Sequence, residues 1–172
     1  CAGLEVFVVE IVGAVGAGLV HLLHSFRTYL GMTQEQAEEA QKIYRARYTT
    51  VGMYENRVYP GVRTMLRTLW KQGAKLGVVT GKPAYPTGKI LEHFGFDRFL
   101  STVVCATDAR AEKEHLIREA LPENHGEVWM IGDRCFDMEG GKAAGIHTLG
   151  VTYGYGSEQE LLDTGAEKIA PT

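Results

Sequence analysis

Two carboxylates follow an apolar run near the C-terminal end of the chain, and their spacing could serve metal chemistry. Asp133 and Asp137 come after the sequence VWMIG at residues 128–132, and a stretch rich in glycine and alanine follows them. Such a pattern predicts a buried strand, a tight turn and a closely packed helix. Carboxylates about one helical turn apart can share a hard cation such as Mg²⁺, which prefers oxygen ligands. The same pattern also fits a charged turn that only caps a helix.

Two other polar positions could bind a phosphoryl group. Thr80 ends an apolar run, and its hydroxyl and the backbone N–H groups of Gly81 and Lys82 could hold phosphoryl oxygens. Lys113 stands where a loop enters a helix, so its ammonium group could neutralise an anion. Taken singly, a Thr-Gly turn is more often structural, and a lysine at such a junction is usually solvated.

The elements that would position these residues alternate between strand and helix after residue 60. Strands are predicted at 74–80, 99–106, 127–131 and 147–151, and helices at 62–72, 85–94, 112–121 and 140–145. An apolar segment at 4–12 predicts a further buried strand. The alternation predicts an α/β fold, a three-layer Rossmann-like parallel sheet with right-handed crossovers and helices on both faces. Open sheets of this kind bind ligands at the carboxyl ends of their strands.

Residues 19–58 lack this alternation. Two amphipathic helices are predicted there, at 19–30 and 33–48. We therefore expect two parts, a core made of residues 1–18 and 59–172 and a small, partial helical cap at 19–58.

Two sequence patterns predict capping boxes at helix starts. Thr33 with Gln36 precedes the second helix, and Ser157 with Glu160 precedes a short helix near the C-terminus. In a capping box the hydroxyl accepts from the third helical N–H, and the longer side chain reaches back to the N-cap N–H.

Composition and charge exclude several classes of protein. The 172 residues are 45% apolar with a net charge of −3, so a core can form, and no basic stripe indicates nucleic acid. Residues 4–23 are mostly apolar, but Glu5 and Glu10 argue against a membrane span, and a signal peptide would need a basic n-region. The three cysteines lack CxxC spacing, which favours a reducing compartment. We expect a cytoplasmic protein without nucleic-acid or membrane partners. Because residue 1 is cysteine, its start is expected to be processed, truncated or engineered.

The order and spacing of these residues resemble the haloacid dehalogenase superfamily, specifically its small phosphatases of the phosphoglycolate phosphatase type. The sequence VVTGKP at 78–83 is similar to the second motif of that family, EKEHLI at 112–117 to the third and GDRCFD at 132–137 to the fourth. YPGV at 59–62 is similar to the hinge that returns from the helical cap to the core. The resemblance covers roughly residues 25–170 and implies a haloacid dehalogenase-like core.

The resemblance also implies a reaction, the Mg²⁺-dependent hydrolysis of a small phosphorylated metabolite through an aspartyl-phosphate. In the family, an aspartate at the end of the first strand attacks phosphorus, and an aspartate two residues later acts as general acid and then activates water. Mg²⁺ and a lysine offset the charge of the dianionic substrate. By this resemblance the metal ligands are Asp133 and Asp137, the catalytic residues include Lys113 and Thr80, and the substrate-binding residues are Thr80, Gly81, Lys82 and Lys113.

The first motif of the family is missing from this sequence. Its Asp-x-Asp-Gly-Thr would follow an apolar strand, and the best local match places Glu10 at the nucleophile and metal-ligand position and Val12 at the general acid. Glutamate is one methylene longer than aspartate, and a misplacement of about 1 Å can cost about a hundredfold in rate. Valine transfers no proton. Either the start of the sequence is altered or misassigned in front of an ordinary phosphatase, or the chain as written is catalytically impaired.

Functions of other classes stay open at this point. The main alternative is a catalytically inactive module that binds phosphate or Mg²⁺, which would show Mg²⁺ binding without turnover. Residues 13–18 faintly suggest a dinucleotide loop, but their glycines do not follow the G-x-G-x-x-G order. The substrate could be phosphoglycolate, a nucleotide monophosphate or a sugar phosphate, and the sequence predicts no oligomeric state. Tyr153 and Tyr155 are candidates for the rim of the pocket.

Overall fold

Six parallel strands form one sheet in the described part of the chain. The computed structural model describes residues 5–8, 12–13, 19–107 and 109–171, with side chains from Leu22 onward. The strands of the described residues are β1 (Glu5–Val8), β2 (Val12–Gly13), β3 (Arg57–Val58), β4 (Lys75–Thr80), β5 (Leu100–Cys105), β6 (Val128–Gly132), β7 (His147–Val151) and β8 (Lys168–Ala170). β2 and β3 lie outside the six-stranded sheet. The sheet has the order β5-β4-β1-β6-β7-β8, and every neighbouring pair in it is parallel.

The described residues also form seven α-helices. They are α1 (Leu19–Leu30), α2 (Gln34–Thr50), α3 (Val62–Lys71), α4 (Ala84–Phe94), α5 (Lys113–Ala120), α6 (Cys135–Ala144) and α7 (Glu158–Asp163), and 3₁₀ turns lie at Gly52–Tyr54 and Asp97–Phe99. In β4 every residue after Lys75 is buried. Because successive side chains of a strand point to opposite faces, this unbroken burial means that both faces of the sheet are covered. The predicted α/β fold with a parallel sheet is confirmed.

The chain divides into two compact units. One combines Cys1–Gly13 with Val58–Thr172, and the other is Ala14–Arg57. Within the second unit, α1 and α2 lie against each other, and the Thr33 capping box is present in both directions. Assignment of this unit as a cap that closes over an active site stays a prediction.

The structure differs from the sequence-based expectation in several places. The helix expected at 140–145 begins at Cys135, because the Asp137 carboxylate accepts from the Arg134 N–H and so stabilises an earlier first turn. The strand β8 was not predicted, since it has three residues and none of them is buried. At Ser157 the capping box is incomplete: the hydroxyl accepts from the Glu160 N–H, but the Glu160 carboxylate binds elsewhere. Of the segment 4–12, residues 4 and 9–11 lie outside the described residues.

The second half of α6 packs closely against the sheet at Gly141. A Cβ atom on Gly141 would lie 2.6 Å from Thr148 Cγ2 and 3.1 Å from Met130 Cβ. Both distances are shorter than ordinary carbon contacts, so only glycine lets the helix approach β6 and β7 this closely. No helix in the described part of the chain is long and apolar enough to cross a membrane.

We predict that Gly141→Ala destabilises the protein although alanine is the better helix former by about 1 kcal/mol. The steric overlap with Thr148 and Met130 forces helix and sheet apart, and overpacking typically costs about 1–3 kcal/mol. The matched control is Gly88→Ala in α4, where a Cβ atom meets no atom within 4 Å and stability should rise. Urea denaturation of both variants measures this, and equal shifts for the two would contradict the tight packing.

Candidate functional site

The ends of β4 and β6 bring two of the predicted site residues to the same level of the sheet. Val8 of β1 pairs with Val78 of β4 and with Ile131 of β6. Thr80 and Asp133 each lie two residues beyond those partners, on the two sides of β1. With strands about 4.8 Å apart, their backbones are separated by about 10 Å at the carboxyl edge. Glu10, the predicted nucleophile and metal-ligand position, lies outside the described residues.

Asp133 and Asp137 are both buried in the turn between β6 and α6. Their exposed fractions are 2% and 3%. One carboxylate oxygen of Asp133 accepts from the Tyr155 N–H at 2.6 Å, and Asp137 Oδ2 accepts from the Arg134 N–H at 3.3 Å. Burial raises the pKa of Asp133, and the nearby charge of Asp137 raises it further, while the Tyr155 N–H partly opposes the shift. A cation beside Asp133 would offset this electrostatic cost.

Lys113 supplies the buried positive charge of the site. Its Nζ lies 3.0 Å from Asp137 Oδ1, with only 12% and 4% of the two side chains exposed. The same ammonium donates to the carbonyl of Val79 at 3.3 Å, immediately before Thr80. A Cβ atom on Gly140 would lie 2.7 Å from Lys113 Cγ, so glycine in α6 gives the lysine stem its path. Lys113 therefore connects the end of β4 with the first turn of α6.

Some polar groups of the turn after β4, which the sequence predicted to bind a phosphoryl group, already form hydrogen bonds within the protein. Thr80 is buried, and its hydroxyl oxygen accepts from the Lys82 N–H at 3.2 Å. The Thr80 carbonyl accepts from the Ala106 N–H at 2.9 Å. The Lys82 N–H is thus engaged within the turn, whereas the Thr80 hydroxyl keeps a proton that it can donate. Gly81 is exposed, and the binding of phosphoryl oxygens by Gly81 and Lys82 stays a prediction.

The segment 154–156 contacts Asp133, and sequence reasoning missed this role. Besides the Tyr155 N–H on the carboxylate, the Gly156 N–H donates to the Asp133 carbonyl at 2.9 Å. A Cβ atom on Gly154 or Gly156 would overlap Asp133. The sequence signal was a Gly-Tyr-Gly triplet after a strand, but its partner lies more than 20 residues away in the chain. Tyr155 was expected only as a rim side chain, whereas its backbone contacts the acid directly.

The acidic turn also fits the cation that the resemblance implies. Among the described residues, no group of three His, Cys, Asp or Glu side chains could hold a metal ion. Mg²⁺, however, commonly binds proteins through one or two carboxylates and fills its remaining positions with water and substrate phosphate. Asp133 is buried without a cationic partner in its described hydrogen bonds, while Asp137 already has Lys113. The donor set therefore suits a hard divalent cation with Asp133 as its first ligand.

We predict that Lys113→Met lowers the free energy of unfolding by about 3 kcal/mol, because it leaves the Asp137 carboxylate buried without its cation. The control is Lys89→Met, which breaks the exposed Lys89–Glu92 pair at 2.9 Å and should cost less than about 1 kcal/mol. Denaturation at neutral pH in EDTA measures both. A similar small loss for the two lysines would show that the Lys113 pair is effectively solvated.

A second prediction concerns the pH dependence of stability without metal. Because the folded-state pKa of Asp133 is raised, the folded protein binds a proton more readily than the unfolded chain, so this group destabilises the fold as pH rises through the raised pKa. Asp133→Asn removes that dependence. The stability of wild type relative to Asp133→Asn should therefore increase as pH falls from 7 towards the ordinary aspartate pKa of about 3.9. Asp97→Asn, at an exposed aspartate, is the control for the loss of one acidic charge.

The chain is similar to several known proteins. The family model described as haloacid dehalogenase-like hydrolase matches residues 20–151. A 5'-nucleotidase of Pseudomonas aeruginosa is 39% identical over 147 residues, covering 81% of this chain and 66% of that protein. Tyrosine-protein kinase PtkA of Mycobacterium tuberculosis is 35% identical over 127 residues, covering 71% and 44%. A phosphoglycolate phosphatase of Psychrobacter arcticus is 30% identical over 135 residues, covering 76% and 59%.

A solved structure shows the same fold over nearly the whole chain. The crystal structure of a "predicted phosphatase" from Clostridium acetobutylicum superposes with a TM-score of 0.81 at 27% identity, covering 99% of this chain and 94% of that one. This chain spans less than two thirds of the length of the curated relatives named above. The family model covers more than half of the chain, and the predicted resemblance is confirmed: the chain belongs to the haloacid dehalogenase-like hydrolase family.

Proposed function

We propose that this protein hydrolyses a small phosphomonoester with Mg²⁺. The observation that carries the proposal is the buried Lys113–Asp137 ion pair, at 3.0 Å, beside the buried Asp133 and the end of β4 at Thr80. A buried cation next to two carboxylates and a hydroxyl suits a dianionic phosphoryl group held together with a divalent metal. The family and its phosphatase and nucleotidase relatives support the same reaction class.

In this proposal the described residues have distinct tasks. Lys113 and the Thr80 hydroxyl bind the phosphoryl oxygens, with Gly81 and Lys82 forming the turn around them. Asp133 and Asp137 hold Mg²⁺, which when bound neutralises charge on the phosphoryl group. Asp137 also keeps the Lys113 ammonium in place, so that the positive charge is oriented before substrate arrives and needs little rearrangement during reaction.

The proposed mechanism needs a nucleophile at the end of the first strand. The family route requires a carboxylate that attacks phosphorus, expels the alcohol and is later released by water. Glu10 is the carboxylate that the sequence offers at that position, with Val12 where the proton-transferring aspartate would stand. This departure favours a second candidate function: a module that binds Mg²⁺ and phosphate without turnover.

The chemistry of the site and the names of the relatives suggest which substrates to test and where the protein acts. The names of the relatives point to phosphoglycolate and nucleoside 5'-monophosphates as the first substrates to test, with sugar phosphates as a third class. The unit Ala14–Arg57 is proposed as the helical cap that selects among leaving groups. Cys105 and Cys135 are free thiols, which supports the proposed cytoplasmic location.

We predict that phosphate release from at least one of these esters requires Mg²⁺ and stops in EDTA. Asp133→Asn should lower turnover by at least about a hundredfold, because the neutral amide oxygen lacks the negative charge with which a carboxylate attracts a divalent cation. Colorimetric phosphate release measures turnover, and isothermal titration with MgCl₂ measures binding. The exposed acid Asp97, changed to Asn, is the control.

The outcomes separate the two candidate functions. Turnover that depends on Asp133 supports the phosphatase. Mg²⁺ binding that depends on Asp133, with no turnover on any ester, supports the binding module. Absence of both would contradict each of them. If Asp replaces Glu10 and Val12 together and turnover then appears, the missing first motif is the cause of inactivity.

A further inference from the structure

The Glu160 carboxylate is directed away from its expected partner. Its backbone N–H donates to the Ser157 hydroxyl at 3.1 Å, as in a capping box. The carboxylate, however, does not return to Ser157. Glu160 Oε1 accepts from the Cys135 N–H at 3.0 Å and from Arg134 Nε at 3.1 Å. The short helix α7 therefore contributes its acid to the turn that contains Asp133.

These contacts hold the turn that contains Asp133. The segment 155–160 makes four hydrogen bonds to three consecutive residues, because Tyr155 and Gly156 also donate to the side chain and carbonyl of Asp133. The Cys135 N–H and the Arg134 guanidinium lower the pKa of Glu160. Glu160 is therefore an anion at neutral pH, and its hydrogen bonds are of the stronger, charge-assisted kind.

The Glu160 carboxylate also binds the side chain of Arg134. Arg134 lies directly between Asp133 and Cys135 in the chain, and its guanidinium sits against Glu160 and 5.9 Å from the centre of the Phe136 ring. The Arg134 charge already acts on Asp133, and without its Glu160 partner the guanidinium would be free to pair with that carboxylate. An arginine paired with Asp133 would occupy the oxygens that a divalent cation needs.

We infer that Glu160 is a positioning residue for the Mg²⁺ site, because its carboxylate fixes the Asp133 turn through Cys135 N–H and engages the Arg134 guanidinium, which would otherwise compete with the cation for Asp133. The inference rests on the proposed function, since it concerns the metal site assigned there. Glu160 does not touch the cation or the substrate in this scheme. Residues that orient metal ligands typically change metal affinity by about 10–100-fold when they are replaced.

The test is isothermal titration of the metal-free full chain with MgCl₂. Glu160→Gln keeps the shape and one oxygen acceptor but removes the charge that pairs with Arg134, and we expect Mg²⁺ to bind about tenfold more weakly. The matched control is Glu158→Gln, an exposed acid on the same helix with the same change of charge, which should bind Mg²⁺ within about twofold of wild type. Thermal unfolding in EDTA shows that both variants are folded.

A double variant tests the role of Arg134. In Arg134→Gln/Glu160→Gln the competing guanidinium is absent, so Mg²⁺ affinity should return to within about threefold of wild type, although the loss of charge at position 160 remains. A merely structural loss would instead deepen with the second substitution. A double variant as weak as Glu160→Gln would overturn the role given to Arg134.

Failure of the inference can be told from failure of the proposed function. If wild type and Glu160→Gln bind Mg²⁺ with the same affinity, the inference is overturned and the proposed metal site still stands. Wild type that does not bind Mg²⁺ overturns the proposed function and this inference with it. Where the chain has turnover, the Mg²⁺ concentration for half-maximal rate should rise in Glu160→Gln, and saturating Mg²⁺ should restore most of kcat.

Discussion

The buried ion pair between Lys113 and Asp137 is the interaction on which the arrangement of the site depends. Moving two charges out of water is costly, and such a pair persists only when its remaining hydrogen-bonding capacity is satisfied. Here the ammonium also donates to the Val79 carbonyl and the carboxylate accepts from the Arg134 N–H. The pair thereby joins β4, α5 and α6 at one edge of the sheet. Burial raises the pKa of Asp133, a few residues away, and the Arg134 charge opposes this shift only in part, so the proposed Mg²⁺ would offset the remaining cost.

Glycine makes this dense set of charges sterically possible. Side chains at Gly132, Gly140 or Gly154 would meet Asp137, Lys113 or Asp133, respectively. At none of these three positions is a positive φ the reason for glycine, since the positive-φ glycines of the described chain lie elsewhere. The requirement is space. Glycine allows acids and a lysine to be packed nearly without water, and exclusion of water strengthens each electrostatic interaction in the site.

Much of the core was predictable because its signals are local. Apolar runs that end in Thr80 or in Gly132-Asp133 identified strands and their carboxyl ends, and the parallel topology then brought those ends together. The contacts of Glu160 were not predictable in this way. Its local pattern matched a capping box, and the carboxylate instead satisfies donors 25 residues earlier in the chain. The same holds for Tyr155, whose backbone rather than its ring contacts Asp133. In both cases donors that are distant in sequence but close in the fold decide which hydrogen bond forms. A pattern of neighbouring residues does not show those donors.

The central place of β1 has a consequence for how the molecule folds. β1 comes early in the chain, yet its partners are β4 and β6, which are about 70 and 123 residues away in sequence, as the pairs Glu5–Lys75 and Glu5–Val128 show. Contacts between distant parts of a chain form slowly, because the entropy cost of closing a long loop comes before the contacts can stabilise the fold. During synthesis this apolar strand is therefore made well before β4 and β6, and its backbone hydrogen bonds to them can form only after both have been made. The two halves of the sheet can collapse as β4–β5 and β6–β7–β8, and insertion of β1 between them is then the event that completes the hydrogen-bonded sheet.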